Sequence, residues 1–165
     1  MQSFLLSVLA QQYGRASAAD FAAVFPDPWL VWEAGNWAPA HPTTLSVTQQ
    51  GDEFPSSSAQ DGKGEGLAFQ LRLAPGKTEI SIGRAPPCEV VVNDGTLSKR
   101  HATLQRIDRG WSIRDEASRN GSWVSEVVIA PGKPVPLTSG MRVRLGTARL
   151  SFLDSAALHA RLARR

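Results

Sequence analysis

Beyond Gly66 the chain alternates apolar and polar side chains with a period of two. Leu67, Phe69, Leu71 and Leu73 alternate with Ala68, Gln70 and Arg72; Ile80 and Ile82 alternate with Glu79 and Ser81; Trp111 and Ile113 alternate with Ser112 and Arg114. Successive side chains of a strand point to opposite faces, so each run predicts a strand with one buried face. Met141, Val143 and Leu145 alternate with Arg142 and Arg144, and Ala148, Leu150 and Phe152 resume the pattern after Gly146-Thr147, which predicts a hairpin. Residues 89–93 and 101–107 supply two further strands. Short strands separated by Gly, Pro, Asn and Asp turns, with no helix between them, predict a mainly β protein built as an antiparallel β-sandwich.

Ahead of this region the period differs. Phe4, Leu5, Val8 and Leu9 recur at helical spacing, and Ser17 with Asp20 three residues on has the form of a cap opening a second helix, with Phe21, Val24 and Phe25 on one side. Pro26 ends it. The tract from Pro28 to Glu33 is rich in strand formers, and Gly35-Asn36 offers a turn before Trp37. A small N-terminal α/β element is therefore expected over residues 1–48, with Trp29, Trp32 and Trp37 packing as core or against a neighbouring domain. Residues 49–66 change character: Ser56-Ser57-Ser58, Gly62, Gly64 and Gly66 lie among polar residues with little to bury, which predicts a flexible linker. The sandwich is expected over residues 67–154. Residues 155–165, rich in Ala and Leu, predict a C-terminal helix whose Arg161, Arg164 and Arg165 complement the negative end of its dipole.

Composition narrows the function classes. At 165 residues with 42% hydrophobic content the chain can bury one substantial core. A formal net charge of +3 comes from Lys and Arg spread along the chain rather than massed in a block, so neither nucleic acid nor a membrane is an expected partner. The apolar N-terminal run is too short for a bilayer and has neither a preceding cation nor a cleavage pattern, so it reads as helix. Cys88 stands alone, which fits a reducing, cytoplasmic setting, and His41, His101 and His159 show no metal-ligand spacing. No metal and no cofactor are expected.

The loops carry the chemistry. A phosphate on a peptide bears about −1.5 to −2 charge and several strong acceptor oxygens, so its site needs a fixed cation and a hydroxyl or backbone donor. Arg84, Ser98 and Lys99 supply those groups. The planar guanidinium of Arg84 makes paired bonds to phosphate oxygens, and Gly83 before it lets the chain turn off its strand. The loop 93–98, Asn-Asp-Gly-Thr-Leu-Ser, has tight-turn residues that present Ser98. Asn120 brings an amide able to hold an extended peptide backbone, and Gly121 permits a positive φ beside it.

Four motifs in order, Ile80-Ser81-Ile82-Gly83-Arg84, Thr96-Leu97-Ser98-Lys99-Arg100-His101-Ala102, residues 115–122 around Arg119-Asn120-Gly121, and residues 139–146, give residues 67–154 a resemblance to the forkhead-associated (FHA) domain. The resemblance implies a sandwich of about eleven strands with a site on loops at one end. It implies that Arg84 and Ser98 bind the phosphate of a phosphothreonine, with Lys99 assisting. Asn120 would hold the ligand backbone, Arg119 would lie beside it and Thr96 would line the rim. His101 would brace the Ser98 loop, and Gly83 and Gly121 would shape the turns. Ser122 stands where the family more often has Thr, a change that keeps the hydroxyl. The implied function is that of a non-enzymatic adaptor binding a phosphothreonine-containing protein, a Ser/Thr kinase or its substrate. A phosphorylated Thr43, Thr44 or Thr48 would allow self-association through the same site.

Competing chemistries are thinner. Ser98 with His101, oriented by Asp94 or Asp115, could be written as a hydrolase, but no nucleophile-elbow sequence surrounds Ser98. The stretch 62–66 is similar to a phosphate loop only in its glycines. A phosphate-independent interaction scaffold is the alternative from a different class.

Overall fold

The computed structural model describes residues 2–33, 65–108 and 110–164. Most of the expected linker, and with it Trp37, His41, Thr43, Thr44 and Thr48, lies outside the described residues. The elements run β1 (Ser3–Leu5), α1 (Leu6–Tyr13), α2 (Ala18–Val24), β2 (Trp29–Trp32), β3 (Leu67–Gln70), β4 (Glu79–Gly83), β5 (Val90–Val91), β6 (Ala102–Ile107), β7 (Gly110–Asp115), β8 (Ser122–Val124), β9 (Val127–Val128), β10 (Pro134–Leu137), β11 (Arg142–Leu145), β12 (Ala148–Leu153) and α3 (Ser155–Leu162).

Two sheets face each other. One holds seven strands in the order β1-β3-β2-β12-β11-β8-β9, the other five in the order β10-β7-β6-β4-β5. Every pairing is antiparallel except β4 with β5, where the chain leaves Gly83, loops back through residues 84–89 and runs parallel with Ile82 opposite Val90. The alternation read from sequence closes the core: Ile80, Ile82, Leu104, Ile113, Leu145 and Leu150 are each at most 2% exposed between the sheets.

The N-terminal segment completes the larger sheet. Strand β2 sits between β3 and β12, with Leu30 opposite both Phe69 and Phe152. Leu30 points into the sandwich, whereas Trp29 and Val31 face a second apolar layer with Leu6, Leu9, Phe21, Leu158 and Leu162 from the three helices. A strand covered on both faces needs apolar residues at consecutive positions, which is why residues 29–32 form a continuous run.

The expected Ser17 cap forms, and a second cap, not read from the sequence, opens α3. The Ser17 hydroxyl accepts the backbone N–H of Asp20, and the Asp154 carboxylate accepts that of Ala157. The first helix starts later than its spacing predicts. Phe4 and Leu5 belong to β1, paired with Ala68 and Leu67, and Leu6 and Leu9 are buried while Val8 is 46% exposed. Pairing with an open sheet edge outcompetes helix extension there, since the tertiary contact outweighs propensity. At the other end Arg161 does more than complement a dipole: its guanidinium holds Glu33 through both nitrogens, at 2.6 and 2.5 Å, and this bond raises its already high pKa against the opposing effect of burial.

Candidate functional site

Three loops meet at one end of the sandwich: 84–89 after β4, 92–101 before β6, and 116–121 between β7 and β8. Ser98 joins them. Its carbonyl accepts the backbone N–H of Arg84 at 3.0 Å, its own N–H donates to His101 Nδ1 at 3.1 Å, and its hydroxyl oxygen accepts the backbone N–H of Arg119 at 3.1 Å. A hydroxyl has one proton and two lone pairs, so accepting from Arg119 leaves the Ser98 O–H free to donate outward.

His101, fully buried, reaches the third loop. Because Nδ1 accepts an N–H it carries the lone pair, so Nε2 carries the proton, which it donates to the Gly121 carbonyl at 3.0 Å. Burial pushes the imidazole below its ordinary pKa and outweighs the Gly121 carbonyl and the Asp115 and Asp94 carboxylates, which favour the cation. The ring is a neutral brace. Both of its nitrogens serve the backbone and neither faces the Ser98 hydroxyl, so the nucleophile and base of a hydrolase do not meet here.

Gly83 owes its place to close approach rather than to a free turn. A Cβ there would lie 2.0 Å from the Lys99 carbonyl oxygen and 2.8 Å from Cys88 Sγ. The expectation that glycine is needed to swing the chain off its strand is thus replaced by a packing requirement: β4 and the Ser98 loop touch backbone to backbone. Gly121 does use its conformational freedom, at φ 76°.

Asn120 donates its side-chain N–H to the Thr96 carbonyl at 2.7 Å. This fixes the amide plane and leaves its oxygen uncommitted among the described residues. The Thr96 hydroxyl is spent on the protein itself: it donates to Asp94 at 2.6 Å and accepts the Thr147 N–H at 2.9 Å. Thr96 therefore steadies Asn120 and the loop more than it offers a free hydroxyl to the rim.

Around this frame stand three cations. Arg84 is half-buried, Lys99 and Arg119 are exposed, and the side chains of all three lack an ion-pair or hydrogen-bond partner among the described residues. The neighbouring carboxylates are committed. Asp94 accepts the Thr96 N–H at 2.8 Å. Asp115, 1% exposed, accepts from the Ser118 N–H and from the hydroxyls of Ser118 and Ser122. Burial works to raise its pKa, but these hydrogen bonds outweigh it and keep the carboxyl below the usual range. Ser122 thereby makes the bond expected of a hydroxyl at that position.

All nine residues singled out in the sequence fall into this one network. Asp94, Ser118, Gly146 and Thr147 also contribute, and none was assigned this supporting role from sequence. Asp94, at i−2 from Thr96, has the signature of an Asx turn and was legible. Ser118 belongs to the same loop as Asn120. Gly146 and Thr147 were readable only as a hairpin turn, yet Gly146 donates its N–H to the Gly121 carbonyl at 3.0 Å, and a Cβ on it would meet the Thr96 hydroxyl at 2.6 Å. Nothing local to residue 146 points to residue 96. Among the described residues no group of three or more His, Cys, Asp or Glu side chains is placed to hold a metal, and no helix is long and apolar enough to cross a membrane.

Comparison with known proteins agrees with this geometry. The FHA domain pattern matches residues 80–146. The chain is 31% identical over 120 residues to the glycogen accumulation regulator GarA of Mycobacterium tuberculosis, an alignment covering 70% of each chain. It is 35% identical over 74 residues to the oxoglutarate dehydrogenase inhibitor of Corynebacterium diphtheriae, which is 45% of this chain and half the length of that relative. Among solved structures, the FHA domain of an Arabidopsis thaliana hypothetical protein superposes with a TM-score of 0.52 at 18% identity, over 78% of this chain and 86% of that one. The sandwich, the match over residues 80–146 and the 120-residue relationship together establish that this chain belongs to the FHA-domain family.

Proposed function

We propose that this chain is an adaptor module that binds phosphothreonine peptides in a cytoplasmic Ser/Thr kinase pathway, its partner being a phosphorylated kinase or kinase substrate. The observation that carries the reading is that Arg84, Lys99 and Arg119 have no side-chain partner among the described residues and surround a Ser98 hydroxyl whose proton is free to donate, with the nearby carboxylates already satisfied. A doubly charged group arriving there gains charge-assisted bonds without first breaking an ion pair. Arg84 and Ser98 take the phosphate with Lys99 at its edge, Asn120 holds the peptide backbone through its free amide oxygen, and Arg119 and Thr96 bound that contact. Gly83, His101 and Gly121 keep the three loops in register.

Titration with a threonine peptide in phosphorylated and unphosphorylated forms tests this directly. Binding only of the phosphorylated form, lost in Arg84→Ala, is the expected result; equal binding of both forms, or full binding by Arg84→Ala, overturns it and favours a phosphate-independent scaffold.

A further inference from the structure

The outer face of the seven-stranded sheet is divided between two environments. Helices α1 to α3 cover the β1-β3-β2 side, where Trp29 and Val31 are buried, and the Leu153 end of β12. Among the described residues no helix lies over the rest of β12 or over β11, β8 and β9, and this side carries a cleft of about 610 Å³. Arg142, Arg144 and Arg149 line it, and Arg144 sits directly opposite Arg149 across the β11–β12 pair. Like charges in that register destabilise a sheet. The guanidinium of Arg144 is fixed, stacked 3.4 Å above the Trp123 ring and bonded to the Gly146 carbonyl at 3.1 Å. Arg142 and Arg149 are exposed, and their side chains have no hydrogen-bonding or ion-pair partner among the described residues.

We propose that this cleft is a second binding surface, for an acidic, unphosphorylated polypeptide segment of a partner protein. Charge complementarity selects the occupant. Two unpartnered guanidiniums flank a third that is held rigid, so carboxylates on an extended segment can each find a planar fork and relieve the repulsion between Arg144 and Arg149. Val128, opposite Trp123 and 64% exposed, adds an apolar contact at the sheet edge. The acid groups of Glu33 and Glu126 bound the cleft at its two sides, and Glu33 is already satisfied by Arg161. A uniformly anionic nucleic-acid backbone meets a carboxylate at either end, whereas a peptide of mixed composition can set its acids at the centre. The cleft adjoins the loop site, because Trp123 packs beneath Gly121 and Gly146 links Arg144 to the Gly121 carbonyl. A partner anchored at the loops by one segment can therefore lay a second, acidic segment along the sheet.

The experiment follows the amide resonances of the full chain during titration with an unphosphorylated Glu-Ser repeat peptide, with a Lys-Ser repeat and a poly-dT oligonucleotide run in parallel. Expected are saturable shifts at Trp123 and along residues 142–151 with the acidic peptide, weakened roughly tenfold or more in the double variant R142E/R149E, and unchanged by Arg84→Ala. The double variant should keep whatever phosphopeptide binding the parent has, which separates this surface from the loop site. Arg149→Glu alone, which sets opposite charges across the pair with Arg144, should fold at least as stably as the parent and still lose affinity. Shifts confined to the loops around Ser98, acidic-peptide binding that survives R142E/R149E, or tighter binding of the oligonucleotide at the same residues each overturn the proposal.

Discussion

His101 accepts the backbone N–H of Ser98 through Nδ1 at 3.1 Å, so the loop that presents the Ser98 hydroxyl depends on an uncharged imidazole. A protonated ring would turn that acceptor into a donor facing another donor. The folded-state pKa is depressed by burial, so protons bind the unfolded chain more readily than the folded one. The stabilisation from the neutral ring is therefore complete above the unfolded value near 6.5 and is lost as pH falls from there through the lower folded value. Denaturant unfolding at a series of pH values should show stability falling over this window in the parent and a flatter profile in His101→Gln. His101→Ala should cost on the order of 2 to 4 kcal/mol, since it opens a cavity and leaves the Ser98 N–H without its acceptor. Equal pH slopes in parent and variant count against this account.

Gly83→Ala tests the close approach of β4 to the Ser98 loop. Its Cβ would meet a backbone oxygen at 2.0 Å, and a backbone atom cannot rotate aside as a side chain can. Either β4 or the loop has to move, so a loss of about 2 kcal/mol or more is expected, together with weaker phosphopeptide binding. Wild-type stability and affinity in this variant would mean that the two backbones are not held in contact.

The sheet and the site were legible in the sequence to different depths. Alternation along residues 79–82 and 142–152 gave strands because burying one face of a strand requires that period. The loop residues were legible as candidates because phosphate chemistry restricts residue type, and the fold brings Arg84, Ser98 and Asn120 to one end of the sandwich. The junctions were not. That the hairpin turn at Gly146 and Thr147 supports Thr96 depends on the fold bringing together loop residues 51 apart in sequence, which no local pattern encodes. The placement of β2 between β3 and β12 was hidden for the same reason: a run such as Trp29-Leu30-Val31-Trp32 announces burial but not its neighbours.

Arg84→Ala and Asn120→Ala should separate the two halves of the proposed recognition. Losing Arg84 removes a charge-assisted bond to phosphate, so the gap between phosphorylated and unphosphorylated peptide should shrink by roughly 1.5 to 3 kcal/mol. Losing Asn120 removes a backbone contact that both peptides share. Affinity should drop by about 1 kcal/mol while much of the phosphate preference is retained. Calorimetric titration of the two peptides against the two variants checks the distinction, and an Asn120→Ala variant that loses all phosphate preference would show that Asn120 acts on the phosphate itself.

The N-terminal strand β2 is predicted to be part of the folding unit rather than an appendage. Trp29 is fully buried and its ring lies 5.3 Å from Phe25 and 5.8 Å from Phe4, edge to face. On the opposite face of the same strand Leu30 enters the sandwich core, and β12, which pairs with β2, continues from the β11 hairpin whose Gly146 and Thr147 contact the site. Trp29→Ala should therefore cost about 3 to 5 kcal/mol, as large aromatic truncations in a core do, and a single unfolding transition should shift as a whole. Arg161→Ala, at a half-exposed ion pair with Glu33, should cost no more than about 1 kcal/mol, which makes it the control for damage to the helix layer alone. Two separate transitions in Trp29→Ala, with the loops around Ser98 keeping their parental stability, would place the N-terminal layer outside the cooperative unit; one shifted transition makes the two layers inseparable, so that the proposed phosphopeptide site inherits its rigidity from residues that never approach it.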